Sequence, residues 1–122
     1  MEYIRSIAQL IIALGILNVW LLRFNKATVY RGGAAKNMTE EFAIYGLPVS
    51  FMWLVGGLKV LLALSLLVSL WRPELMRPAA IGMAGLMLGA VGMHIKIGDA
   101  LKKTTPALSV LILSLLVAFL PV

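Results

Sequence analysis

The sequence predicts an all-α integral membrane protein: a four-helix transmembrane bundle with a short interfacial helix between helices 1 and 2. Three observations predict it. Of the 122 residues, 61% are hydrophobic, against roughly 45–50% in soluble domains, and mean hydropathy is +0.99. The excess lies in four runs of about 15–25 residues, a length that crosses a bilayer as a helix. The charged residues, 13% of the chain, gather at the ends of those runs. The runs read as spans of one domain, residues 1–122, at about 4–22, 47–71, 78–95 and 106–120.

The first span is bracketed by Arg5 and Arg23. No small-x-small cleavage site precedes Arg23, and the run is long for a signal peptide, so a retained helix is expected. Asn18, inside it, either bonds a neighbouring helix or contacts a ligand. The polar connector that follows, residues 23–41, is broken at Gly32 and Gly33. Asn37 with Glu40 reads as a capping box. A short helix from Met38 to about Tyr45 should follow at the membrane interface, with Phe42 and Tyr45 on one side. Gly46 ends it, and Pro48 suits the first turn of the next helix.

The second span carries one charge, Lys59, near its centre. A lysine there must snorkel, pair or shed its proton, because a bare ammonium in hydrocarbon is costly. Trp53 and Trp71 are 18 residues apart, roughly 27 Å of helix, and read as the two interfacial anchors. Residues 72–77 form a turn, and Pro78 opens the third span. There Gly82, Gly85, Gly89 and Gly92 share one helical face. Gly85-x-x-x-Gly89 lets a neighbouring backbone approach closely. The stripe is expected to pack on another helix of the same chain, a homodimer contact being its other use. His94 points away from it, on the face of Met83, Met87 and Ala90. In the fourth span Thr105 reads as N-cap and Pro106 as first helical residue. Ser109 and Ser114 can bond to backbone or to a neighbouring helix.

Composition narrows the function. With no cysteine, disulfides, thiol exchange and iron–sulfur clusters are excluded. One histidine cannot supply two haem ligands, and no metal is expected. The net charge of +6 does not point to nucleic acid, because the basic residues flank apolar runs, where they mark topology and touch anionic lipid. The five acids, Glu2, Glu40, Glu41, Glu74 and Asp99, lie at or beyond span ends, which disfavours a small transporter exchanging protons at a mid-span carboxylate. The first and third loops hold seven basic residues, against three at the other side. That bias places those loops in the cytoplasm and both termini outside, most simply in a bacterial inner membrane. Depth along the helices then brings Asn18, Lys59, His94 and Asp99 into one half of the membrane. Asp99 is the expected counter-ion of Lys59, with snorkelling to lipid phosphate as the alternative.

The stretch His94-Ile-Lys-Ile-Gly-Asp-Ala-Leu-Lys-Lys103, with Ala107-Leu108 after it, resembles the DoxX-like superfamily. Within that group it looks especially like the nicotinic acetylcholine receptor chaperone NACHO and its bacterial relatives. Tyr45-Gly-Leu-Pro48 and Gly56-Gly57-Leu-Lys59 stand where that family's second helix is expected. The resemblance implies a four-helix membrane protein and little chemistry. The family often has a carboxylate where this chain has Lys59, so that acid's role does not carry over. The expected function is non-catalytic binding or assistance of other membrane proteins or lipids, with no cofactor. The alternative is an accessory subunit of a quinone-linked oxidoreductase, which would bind quinone.

Overall fold

In the computed structural model, which describes residues 2–26, 28 and 30–119, those residues form helices and their connections, with no strand among them. Helix α1, Glu2–Leu17, continues into a π-helical turn, Asn18–Leu22. Helix α2 is Met38–Ile44 and α3 is Val49–Val68. A 3-10 turn, Pro73–Leu75, leads into α4, Met76–Lys96, and α5 is Leu101–Phe119. Four stretches are long and apolar enough to cross a bilayer: Tyr3–Leu22, Val49–Val68, Pro73–Lys96 and Leu101–Phe119. The predicted end of the last span, Leu120, lies outside the described residues.

Helix α1 packs on α3 and α5, and α4 packs on the same two, so the spans form a ring in the order α1, α3, α4, α5. Neighbours run antiparallel: Gln9, early in α1, meets Ser69 at the end of α3, and Arg77, at the start of α4, meets Ala118 at the end of α5. The interior is filled by Ile12, Met52, Leu66, Met83 and Val117. Helix pairs in a membrane gain little from hydrophobic transfer and depend on close contact. Alanines supply that closeness here: Ala8 and Ala13 on α1, Ala63 on α3, Ala79, Ala80 and Ala84 on α4, and Ala118 on α5.

That use of alanine corrects the expectation for the glycine stripe. The buried face of α4 carries Met83, Met87 and His94 as well as its alanines. The glycines are rotated off it. A Cβ at Gly82 would meet Leu62, but one at Gly85, Gly89 or Gly92 would meet nothing within 4 Å. Within the spans the close approach that needs a glycine is at Gly56, where a Cβ would run into the Trp20 ring.

A second correction concerns α5. It starts at Leu101, and Pro106 lies inside it. Thr105 is not its N-cap: the hydroxyl donates back to the Leu101 carbonyl at 3.1 Å, from within the helix. The Thr-Pro pair looked like a start signal, but a proline early in a helix removes only one bond beyond the turn whose N–H groups are unpaired anyway.

The short elements follow local rules. Asn37 caps α2 by accepting from the Glu40 N–H at 2.8 Å, and Glu40 accepts in return from the Asn37 amide at 3.1 Å and the Lys36 N–H at 3.1 Å. Gly46, at φ +79°, closes α2, with Leu47 N–H on the Phe42 carbonyl and Gly46 N–H on the Ala43 carbonyl. Gly98, at φ +71°, closes α4 the same way, with Asp99 N–H on His94 and Gly98 N–H on Ile95. Both are Schellman caps, which need a residue comfortable at positive φ. Trp53 and Trp71 are exposed toward opposite ends of α3, Trp71 in the turn just beyond it.

Candidate functional site

The Schellman cap on α4 explains the His-x-x-x-Gly-Asp spacing. It reverses the chain at Gly98 and returns Asp99 over the last turn, where Asp99 Oδ2 lies 2.7 Å from His94 Nδ1. The Asp99 Oδ1 accepts from the Gly33 N–H at 3.0 Å, and Lys103 Nζ stands 4.0 Å away while donating to the Gly33 carbonyl. Burial would raise the Asp99 carboxyl. The Gly33 N–H, the His94 hydrogen bond and charge, and the Lys103 charge outweigh it and hold the group below its ordinary value.

On the other side of the imidazole, Nε2 is 3.4 Å from the Tyr45 hydroxyl, with the two rings edge to face. Tyr45 and His94 are each 6% exposed. Burial pushes the Tyr45 phenol up, Glu41 and Asp99 push it further, and Arg31 opposes them. An ionised Asp99 can only accept, so Nδ1–H donates to it, and the Tyr45 hydroxyl meets Nε2 on the far side of the ring. The Tyr45 carbonyl accepts from Lys96 Nζ at 3.0 Å. Residues of α4 and α5 thus clamp the connector from below.

Arg31 ties the connector to itself. Its guanidinium donates to the carbonyls of Arg23 at 2.5 Å, Phe24 at 3.1 Å and Lys26 at 3.1 Å, and lies 3.8 Å from Glu41. Burial lowers its pKa, against the raising pull of Glu41 and Tyr45, though a guanidinium stays charged in a protein. Glu41 also accepts from the Gly32 N–H at 2.6 Å. A side chain at Gly32 would collide with the Tyr45 ring, and Gly33 sits at φ +54°.

Beneath this lid runs a chain of six rings: Trp53, Phe24, Trp20, Phe42, Tyr45 and His94, with centroids 5.4–6.0 Å apart. Lys59 Nζ lies over Trp20, 5.6 Å from the ring centroid, a cation–π contact. Among the described residues Lys59 makes no hydrogen bond and no ion pair within 4 Å. Of the four residues expected together, the structure pairs His94 with Asp99. Lys59 faces Trp20 in the π-helical turn instead, and Asn18, half-buried at the start of that turn, makes no side-chain bond among the described residues.

Sequence reasoning missed Arg31, Glu41 and Gln9. A basic residue in a polar connector reads as solvated, and only the fold buries Arg31. Gln9 is 3% exposed and donates to Ser69 Oγ at 2.6 Å. Its signal was available, since an amide inside an apolar run needs a partner across a helix interface. No group of three His, Cys, Asp or Glu side chains converges among the described residues.

No curated protein and no solved structure matches the chain. The model of the DoxX-like family matches residues 16–119, which takes in the π-helical turn, the lid and the His94–Asp99 turn, and the chain belongs to that family.

Proposed function

We propose that this is a non-catalytic membrane protein that binds another membrane protein through α4. The observation that carries this reading is the open glycine face: a Cβ added at Gly85, Gly89 or Gly92 would meet nothing within 4 Å among the described residues. A glycine inside a helix costs about 1 kcal/mol relative to alanine. Nothing offsets that cost at these positions within the chain, whereas a helix pressed on them from outside gains backbone approach and dispersion contacts. Ile81, Leu88 and Ile95 are exposed beside the glycines at seven-residue intervals, a ridge for the groove of an incoming helix. The buried Tyr45, His94 and Asp99 are engaged in holding the lid, which fits binding rather than catalysis.

Charge selects the partner. Arg77 and Lys96, at the two ends of α4, are exposed. Two parallel copies would bring like charges together at both ends, so the fitting occupant is a helix of a different protein with acidic flanks. The resemblance to receptor chaperones supports the same reading. By the distribution of basic residues the lid faces the cytoplasm and the termini lie outside.

The test uses the purified chain in vesicles with synthetic transmembrane peptides bearing a Gly-x-x-x-Gly seam and either acidic or basic flanks. Saturable energy transfer to the acidic peptide is expected, and its loss in a Gly85→Leu/Gly89→Leu variant of unchanged melting temperature. Undiminished transfer in that variant contradicts the reading. So does saturable transfer between copies of the chain with none to the peptide.

A further inference from the structure

At the end of the bundle opposite the lid, α1, the α3–α4 turn and the start of α4 enclose a cleft of about 650 Å³. Its polar wall is Arg5, Ser6, Gln9, Ser69, Glu74 and Arg77. We infer that this cleft binds the phosphate headgroup of an anionic glycerophospholipid. The volume suits a small ligand, for which sites run about 300–1,000 Å³.

Two basic side chains and one acidic side chain line the cleft. Arg5 and Arg77 bring two guanidiniums from different helices. The one carboxylate in the wall, Glu74, is shared with Arg72 at 3.7 Å. Guanidinium forks match phosphate oxygens in geometry and charge. The floor is fixed: Gln9 donates to Ser69 Oγ at 2.6 Å, and Ser69 donates to the Leu66 carbonyl at 2.6 Å. Arg77 is steered by its Nε, which donates to the Ala118 carbonyl at 2.9 Å. Its two terminal nitrogens make no bond among the described residues. Arg5 is 7% exposed, Gln9 and Ser69 each 3%, so these three form a built wall, with the exposed Arg77 at its rim.

Depth favours a lipid over a soluble anion. Arg5 is in the first turn of its span and Arg77 in the first turn of α4, while Ser69 directly follows α3. All three lie where bilayer phosphates lie. Leu70 and Met76 complete the lining and offer apolar contact to the glycerol and the first acyl carbons.

The experiment measures binding to the full chain in detergent, by native mass spectrometry and thermal melting, with phosphatidylglycerol, phosphatidylcholine and inorganic phosphate as probes. One phosphatidylglycerol per chain should be retained and should raise the melting temperature by several degrees. Arg77→Gln should weaken retention about tenfold, the scale of one charge-assisted contact. Lys102→Gln, exposed at the lid end of the bundle, should leave it unchanged. Arg5→Gln should weaken it likewise; if that variant does not fold, Arg77→Gln decides. Equal retention of the two lipids, or wild-type retention by Arg77→Gln, overturns the assignment. Inorganic phosphate matching the lipid's effect would make the ligand a free anion and overturn the lipid assignment.

Discussion

His94 Nδ1 stands 2.7 Å from Asp99 Oδ2, and that contact, not a contact with Lys59, is what Asp99 does in this fold. Replacing Asp99 by Asn should destabilise the chain by about 1–3 kcal/mol, the range for weakening a buried polar contact. In double-mutant cycles followed by chemical unfolding in mild detergent, Asp99→Asn and His94→Ala should couple, by roughly 0.5–3 kcal/mol. Asp99→Asn and Lys59→Met should add within about 0.5 kcal/mol, because the two sites share no partner. The reverse pattern would return Asp99 to Lys59.

The pH response follows from the same contacts. The folded Asp99 pKa lies below its ordinary value. Its contribution is therefore fully present above the unfolded pKa, about 3.9, and is lost as pH falls through the lowered folded value. His94, Tyr45, Lys103 and the Gly33 N–H face this carboxylate. Tyr45 has the opposite sign: its raised pKa means the folded state holds a proton the unfolded state releases above about pH 10, so stability falls with rising pH there. Melting temperatures across the pH range should show both losses. Asp99→Asn should flatten the acid limb and Tyr45→Phe the alkaline one.

Two glycines should respond oppositely to enlargement. Gly56→Leu drives a side chain into the Trp20 ring and should cost about 1–3 kcal/mol by overpacking. Gly85→Leu enters open space and should leave the isolated chain as stable as before, or more stable by up to about 1 kcal/mol through helix propensity. Thermal unfolding of the two variants side by side decides; a destabilised Gly85→Leu with a tolerant Gly56→Leu would invert the packing described above.

Arg31→Met should free the lid. Three connector carbonyls lose the guanidinium, the Arg23 and Phe24 carbonyls keeping a backbone N–H each, and Glu41 loses its ion pair. Breaking a buried charged contact of this kind costs about 3–5 kcal/mol. Amide exchange should accelerate over residues 30–47 while α4 and α5 keep their protection. Unchanged exchange over that segment would mean that Arg31 is not what holds the lid.

Much of this architecture was legible because it is set locally. Asn37 and Glu40 announced the start of α2, and Gly46 its end, because capping depends on neighbours within four residues. What periodicity could not supply was azimuth. It placed Gly82, Gly85, Gly89 and Gly92 on one face, but not which face a neighbour would cover; Ala80 and Ala84 took the covered side. Depth arithmetic likewise put Lys59 and Asp99 in one half of the membrane without telling that one turns toward Trp20 and the other toward His94. The Thr105-Pro106 signal failed because α5 extends back to Leu101, where Lys103 and Asp99 meet the lid.

In the proposed function the α4 glycine face is open in the single chain and receives another protein's helix. Oxygen accessibility of a spin label at Leu88→Cys, in a sequence with no other thiol, reads this out in lipid nanodiscs holding one copy. High accessibility for the chain alone is predicted, falling when the acid-flanked Gly-x-x-x-Gly peptide is added. Low accessibility from the outset, or high accessibility that the peptide leaves unchanged, would contradict it.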